Sequence, residues 1–505
     1  MVSPTGLDSD TIFKLNTNNN QHTSTKTDTM KTIKIIVMAL FSVGLIFSLA
    51  ACDDDNPVGA GNGNGNGNGG DTPPPTEEGI FGDMTEIDFE AGELYMVTGD
   101  LFVPENESVT IPAGVTLEFQ EGDNGEAWFL EVFGSLYIMG EEGARVTLTA
   151  SDDLINSSKN NGIGQLWGGV IGTITTGDLV VQYTDIIHAG GTTREENAMA
   201  LPATGGGGEL SAGDASYALY FVREEGERQD GIFVLQHSRI SFTPDDGIRI
   251  NGGKTLMTHN VFEVIGGTGG DVVNIKAATS GDFAYNLCYN GATNCLKTAD
   301  TGPGERGRAH TNFYNNTIVN HGYRRAEPGR GAGLNYESNG FGDVYNNLNV
   351  NVRFGLRFVR GESEPNVDRI NYGYNWYYGS VQTVVDEFYP SDQTSSWGLI
   401  GYDDRTPIPA SDVAGGPGEN DPMFVNFDPS DFEFSGNTTI ATDPLRTNID
   451  PIPADADFRL RADSPALTGA FTDFDFVHSS YTTLDGSITF TPPAPSEFFG
   501  AFGSE

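Results

Sequence analysis

Nine arginines, at positions 306, 308, 324, 325, 330, 353, 357, 360 and 369, fall within residues 305–369, against seven acidic residues in the same stretch. This is a local reversal of charge in a chain with 70 acidic and 27 basic residues and a formal net charge of −43. Arg324 and Arg353 are 29 residues apart, and Arg330 and Arg360 are 30 apart. A structural repeat of that length would stack Arg324, Arg330, Arg353, Arg357 and Arg360 into a stripe on one face. Guanidinium groups are planar two-pronged donors, so such a stripe suits the carboxylates or sulfates of an anionic glycan. The competing reading is a set of structural ion pairs with the flanking acids, the commoner behaviour of charge runs. Catalysis of the lyase type needs a neutralised carboxylate and a base beside it. Arg324, Arg325, His310, His321 and Tyr323 are the polar groups at hand, but only repeat arithmetic brings them together.

Asp245, Asp246 and Asp271 lie in glycine-rich turns about one repeat apart, and clustered carboxylate oxygens of this kind can hold Ca²⁺. The spacing matches no defined calcium loop, and aspartate in tight turns has backbone reasons of its own, which is the stronger reading. Trp128, Trp167, Trp376 and Trp397 could stack on sugar rings, though aromatics in repeat folds mostly fill the interior. Trp376 is the expected exception, because three adjacent aromatics (Trp376-Tyr377-Tyr378) cannot all point inward. No zinc-type cysteine and histidine spacing and no phosphate-cradling loop is present. The negative charge excludes nucleic acid as a partner.

The elements that must position these groups are short strands. Glycine (66 residues), asparagine and aromatics are abundant, and no window sustains a 3.6-residue period. One pattern recurs: a polar or Asn pair followed by apolar alternation. Anchored on positions 185, 239, 260, 286, 316, 347 and 375, the spacings are 54, 21, 26, 30, 31 and 28. Reading the first interval as two turns, with Tyr217–Val222 as the missing strand, leaves a period in the twenties to low thirties. That is the requirement of a β-solenoid, whose coils pair about 4.8 Å apart. Asparagine at a repeated corner can bond its copy in the next coil and tolerates left-handed backbone. The expected fold is all-β: a right-handed parallel β-helix over 80–380, with an irregular closing segment over 381–505.

Residues 30–51 have the layout of an export signal. Lys31 and Lys34 precede an apolar run from Ile35 to Leu49, and Leu49-Ala50-Ala51-Cys52 looks like a lipobox whose cysteine is cleaved and acylated. Residues 1–29 are read as a start-site extension before Met30. Asp53, Asp54 and Asp55 follow the cysteine, and residues 52–79 form a Gly/Asn/Pro tether too polar to pack. The expected partner is therefore a membrane, reached through the lipid on Cys52, and the expected place is the outer membrane or cell surface. In that oxidising setting Cys288 and Cys295 are expected to form a disulfide.

Thr110-Ile-Pro-Ala-Gly-Val-Thr-Leu117, Gly134-Ser-Leu-Tyr-Ile138, Trp167-Gly-Gly-Val170, Asp245-Asp-Gly-Ile248 and Asn251-Gly-Gly253 resemble the right-handed β-helix surface lipoproteins of Bacteroidetes and relatives. So do Asp421-Pro-Met-Phe424, Asp457-Phe-Arg-Leu460, Ser464-Pro-Ala-Leu467 and Gly500-Ala-Phe-Gly503. The likeness spans most of residues 90–505 and implies a fold similar to pectate lyases. It is far less specific for activity. The expected function is a non-catalytic binding or adhesion module for anionic glycan. The alternatives are a β-helix polysaccharide lyase or glycoside hydrolase, and a structural envelope protein. No cofactor is expected beyond Ca²⁺.

Overall fold

The computed structural model describes residues 79–201, 209–223, 230–301, 307–325, 327, 330–390, 398–432 and 447–504. Cys52 with its flanking signal and tether, Arg306 and Trp397 lie outside the described residues.

Alternating apolar residues in short strands wind the chain into a parallel β-helix. A nine-stranded sheet takes one strand per coil, from Ser108–Pro112 to Ile370–Gly373. A nineteen-stranded sheet is continuous only through Leu94–Val103, which pairs with Thr116–Phe119 by its first half and Phe129–Val132 by its second. Beyond that strand it runs as two separate stacks, one ending at Trp376–Tyr378 and one at Phe354–Phe358. Each coil thus contributes to a first, second and third sheet in turn, as in Ile232–Gln236, Arg239–Thr243 and Ile248–Asn251.

Period-two alternation decides what enters the core. In the third sheet Leu219, Phe221, Ile248, Ile250, Val273, Ile275, Leu334 and Leu356 all point inward and are fully buried. Each such side chain contributes roughly 1.5–3 kcal/mol by leaving water. The corner between first and second sheets is closed by polar stacking. Asn260, Asn286, Asn316, Asn347 and Asn375 stand above one another, and the Oδ1 of each later residue accepts both the backbone N–H and the Nδ2–H of the one before, at 2.9–3.2 Å. The row continues to Ser238 at one end and to Asp412 at the other. The preceding residues His259, Tyr285, Asn315, Asn346 and Tyr374 all have φ between 50° and 61°, the left-handed turn that brings the asparagine inward.

One expectation about the coils is corrected. Asp185 pairs directly with Arg239, so the 54-residue interval is a single coil. Leu219–Val222 is the third-sheet strand of that same coil, reached after a long corner insertion. An insertion at a corner lengthens the interval without adding a rung, which spacing alone does not distinguish from an extra turn.

The C-terminal part divides in two. Residues 381–432 close the last coils: Leu399 N–H donates to Phe358 O at 2.8 Å, and Val413 N–H to Asn375 O at 2.9 Å. Residues 447–504 lie lengthwise along the solenoid as a strap that runs back as far as Asp178 and then returns to Thr317 and Asn346. Tyr481 Oη donates to Asp282 Oδ2 at 2.7 Å, and Leu484 N–H to Asp178 Oδ2 at 2.8 Å.

Candidate ligand-binding face

The outward residues of the third sheet change character along the solenoid. At the N-terminal end Phe129, Ile171, Tyr220 and Val222 are apolar and are covered by Met199 and Tyr217 of the corner insertion. Further on they form one in-register row: Arg249, Asn274, Lys297, Asn335 and Arg357. Cations alternate with carboxamides, one group per coil. Two residues along the same strands stand Lys276 and Glu337. Lys276 and Lys297 are two of only four lysines beyond residue 52.

The cations are held by a network at the edge of the sheet. Arg249 pairs with Glu209 and lies 3.3 Å from Asp246 Oδ2, which also accepts Asn274 Nδ2–H at 2.7 Å. Lys297 Nζ bridges Asp271 Oδ2 at 3.3 Å and Glu337 Oε1 at 3.2 Å. Asn335 Nδ2–H donates to Glu337 Oε2 at 3.2 Å. Asn274 Oδ1 and Asn335 Oδ1 are buried and accept no hydrogen bond, although such oxygens usually find a donor. Lys276 Nζ meets Thr301 Oγ1 at 3.3 Å. Burial, with Lys297 and Arg249 nearby, pulls the Lys276 ammonium down to about 8. Burial also lowers Arg357 to about 10, against the pull of Glu337. Arg330, with its side chain 38% exposed, bears electrostatically on both Lys297 and Arg357.

Such a row concentrates positive charge suited to carboxylates, with Arg249 and Arg330 partly exposed and Asn274, Lys297, Asn335 and Arg357 buried beneath. An amine that is partly neutral near pH 8 is also a group able to take a proton.

The expected arginine stripe does not form. Leu287 pairs with Thr317 and Thr317 with Leu348 in the second sheet, steps of 30 and 31 residues. In the third sheet Leu296 pairs with Leu334 and Leu334 with Leu356, steps of 38 and 22. The corner between those sheets takes 320–331 in one coil and 351–353 in the next, so Arg330 and Arg360 do not stack. Arg324 is 1% exposed and points into the corner, where its guanidinium donates to the carbonyls of Ile265, Gly266 and Gly267 and to Asn290. Arg353 is also buried, donates to Gly322 O at 3.2 Å and to Arg325 O, and lies against the Phe354 ring. Arg325 pairs with Glu327 at 2.8 Å, and Arg360 covers the Tyr402 ring at 4.0 Å. Of the six expected ligand residues, Arg330 and Arg357 meet at the polar face.

The other expected site residues separate. His310 stacks on Phe341 in the first sheet, while burial and Arg369 hold it down to about 4. His321 is fully buried, accepts the Gly291 N–H on Nδ1 at 3.1 Å and is pushed down to about 3 by burial. Tyr323 Oη donates to Asn351 O. None of the three faces Lys276. Trp376 is 4% exposed, donates Nε1–H to Asn420 O and packs on Phe499, so the closing segment covers the aromatic that was expected to be free. The calcium reading fails for a related reason. Asp246 and Asp271 are committed to Arg249, Asn274, Lys297 and Asn294, and among the described residues no group of three or more His, Cys, Asp or Glu can hold a metal ion. Asp245 is held up near 6 by burial and by the neighbouring Asp246 carboxylate. Cys288 and Cys295 form the expected disulfide, with Cα atoms 6.1 Å apart.

Arg249, Asn274, Lys276, Lys297 and Asn335 were not singled out from sequence, yet a signal was there. Ile248-Arg-Ile, Val273-Asn-Ile-Lys276, Leu296-Lys-Thr, Leu334-Asn-Tyr-Glu337 and Leu356-Arg-Phe share one frame, a long polar residue flanked by an aliphatic residue before it and, in all but Leu296-Lys-Thr, an apolar or aromatic one after it. Among the described residues no helix is long and apolar enough to cross a membrane. No family model, curated protein or solved structure matches the chain.

Proposed function

We propose that the chain is a surface lipoprotein, anchored through Cys52, whose β-helix binds an acidic, hydroxyl-rich polysaccharide along the outer face of the third sheet. The observation that carries this reading is the in-register alternation of Arg249, Asn274, Lys297, Asn335 and Arg357, with unpaired carboxamide oxygens at the two asparagines. Coils about 4.8 Å apart set one polar group per step; Arg249 and Arg330 are the partly exposed members that a ligand meets first, while Asn274, Lys297, Asn335 and Arg357 are at most 8% exposed and are reached only when the side chains over them move aside. A uronate chain offers carboxylates to the cations and hydroxyl hydrogens to the oxygens. Binding rather than turnover is favoured because the residues expected to act in catalysis are scattered. The bases on the face are Lys276 and the ion-paired carboxylates Asp246, Asp271 and Glu337.

The test is affinity electrophoresis of the full chain in gels cast with polygalacturonate, alginate or a neutral glucan. The same mixtures are followed by the ultraviolet absorbance of unsaturated uronate. Retention by the acidic polymers alone, lost at least tenfold in Arg357→Met and Lys276→Met, supports the reading. Equal retention in all gels, or unchanged retention in both variants, overturns it. Rising absorbance would instead make this face the site of a lyase, with Lys276 as its base.

A further inference from the structure

Beside the asparagine row, the corner between first and second sheets carries a column of rings. Tyr183, His237, His259 and Tyr285 are the left-handed residues of four successive coils, with φ of 44–58°. Their rings stack face to face: Tyr183 on His237 at 4.6 Å, His237 on His259 at 4.8 Å and His259 on Tyr285 at 5.0 Å, with neighbouring planes within 15°. The two histidine coils are locked in register on either side of the pair, Gln236 with Thr258 and Arg239 with Val261.

At the same place in two later coils stand Asn315 and Asn346, and both spend their side chains on the strap, donating to Phe498 O at 2.7 Å and Phe471 O at 2.6 Å. The histidines do not. His259 is exposed and His237 is half-buried, and among the described residues neither imidazole makes a hydrogen bond. His188 Nδ1 and His321 Nε2 also lack a partner, but those atoms are buried.

Two imidazoles with free nitrogens, one coil apart, can share a ligand. Bonds of about 2.0–2.1 Å to a tetrahedral ion place two nitrogens roughly 3.4 Å apart. Rings stacked at 4.8 Å reach that separation when each leans a fraction of an ångström toward the other, with the strands unmoved. Of the charged groups that bear on His237, Glu142 is exposed and attracts a cation, while Arg145, which repels one, is paired with Asp185 at 2.8 Å. Partial burial, with His237 beside it, holds His259 down to about 4, and partial burial lowers His237 too. Both rings are therefore neutral at pH 7, and no proton has to leave before a metal binds. Neutral imidazole suits the late first-row divalent ions, Cu²⁺ above all. Among the described residues no third His, Cys, Asp or Glu converges on the pair, so water holds the remaining positions. We propose that His237 and His259 form a two-imidazole site for a divalent late transition-metal ion, Cu²⁺ most tightly.

The test is titration of the full chain with CuCl₂, followed by calorimetry and by electron paramagnetic resonance, whose nitrogen hyperfine pattern counts the imidazoles on the ion. His237→Phe and His259→Phe keep a ring in the stack and remove the ligand nitrogens. Expected are one saturable site with two nitrogens, at least a tenfold loss of affinity in either variant, and no change in His478→Gln, a half-buried imidazole on the strap. The chain is so acidic that binding to carboxylates must be separated, and about a hundredfold excess of CaCl₂ is expected to leave the two-nitrogen signal in place. Unchanged affinity in both variants, fewer than two nitrogens in the parent, loss of the signal to CaCl₂, or an equal loss in His478→Gln overturns the proposal and leaves the column a stacking corner only. The parent's spectrum decides even where a variant proves unstable.

Discussion

Asn316 Oδ1 accepts two hydrogen bonds from Asn286, one from its backbone N–H and one from its Nδ2–H, each at 3.0 Å. Asn316 in turn donates to Asn347 Oδ1 at 2.9 Å and to Phe283 O at 2.9 Å. A single side chain therefore satisfies groups of the coils on both sides.

Replacing it tests whether the ladder holds the coils together. Asn316→Ala leaves the Asn286 N–H buried without its acceptor, at about 1–3 kcal/mol, and also removes the bonds from Asn286 Nδ2–H and to Phe283 O and Asn347 Oδ1. The expected loss is about 2–4 kcal/mol in thermal unfolding. Asn371→Ala, which removes an exposed bond to Asp343, is expected to cost less than about 0.5 kcal/mol.

Arg324 separates a structural from a binding role for the corner arginines. Its guanidinium is buried among carbonyls with no carboxylate partner among its described hydrogen bonds, and burial lowers it to about 9. Arg324→Met strands those carbonyls and is expected to cost about 3 kcal/mol or more. Retention by acidic polysaccharide at low temperature, where the variant is folded, is expected to match the parent. A selective loss of retention with normal stability would return Arg324 to the binding site.

Acid is expected to destabilise the fold between pH 6.5 and 5. Burial lowers His188, His237, His259, His310, His321 and His478, to about 4 for His259 and His310 and about 3 for His321. The unfolded chain takes up protons near the ordinary histidine value of about 6.5 while the folded chain does not, so stability present above that pH is lost below it. Asp245, Asp282 and Asp412, each raised to about 6 chiefly by burial, act in the opposite sense and gain stability as pH falls through 6. Buried Asp246 is shifted the same way. Burial raises Glu131 and Asp343 as well, so six carboxyls oppose six histidines; the unfolded histidines start to take up protons at the higher pH, and on that ground they are expected to prevail. The unfolding temperature should fall from pH 7 to pH 5, and His321→Gln should flatten the dependence by about 1.4 kcal/mol per pH unit near pH 5. A rise on acidification would show that the aspartates dominate.

The Cys288–Cys295 bridge closes a loop with a sequence separation of seven, and both residues are fully buried. Loop closure of that size constrains the unfolded chain by about 2 kcal/mol. Cys288→Ala with Cys295→Ala is expected to lose about that much, plus a smaller packing cost. Denaturant unfolding of the parent in dithiothreitol should show a loss of the same size. No difference between oxidised and reduced protein would mean that the bridge adds nothing.

What the sequence by itself determined is whatever repeats at a fixed place in every coil. The Asn260, Asn286, Asn316, Asn347 and Asn375 row was readable because a left-handed corner and a buried carboxamide demand the same residue each time. The apolar alternation identified the all-β class and the parallel stacking for the same reason. What only the tertiary structure decided is whatever depends on loop length at the other corners. Steps of 30 and 31 residues in the second sheet become 38 and 22 in the third, so arithmetic that held at the asparagine row misplaced every arginine pair. Arg324 and Arg353 went inward, where carbonyls are the available partners, and Trp376 went under the closing segment. Arg249, Lys297 and Arg357 came together instead, because strand pairing aligns the outward positions of neighbouring coils however much chain lies between them.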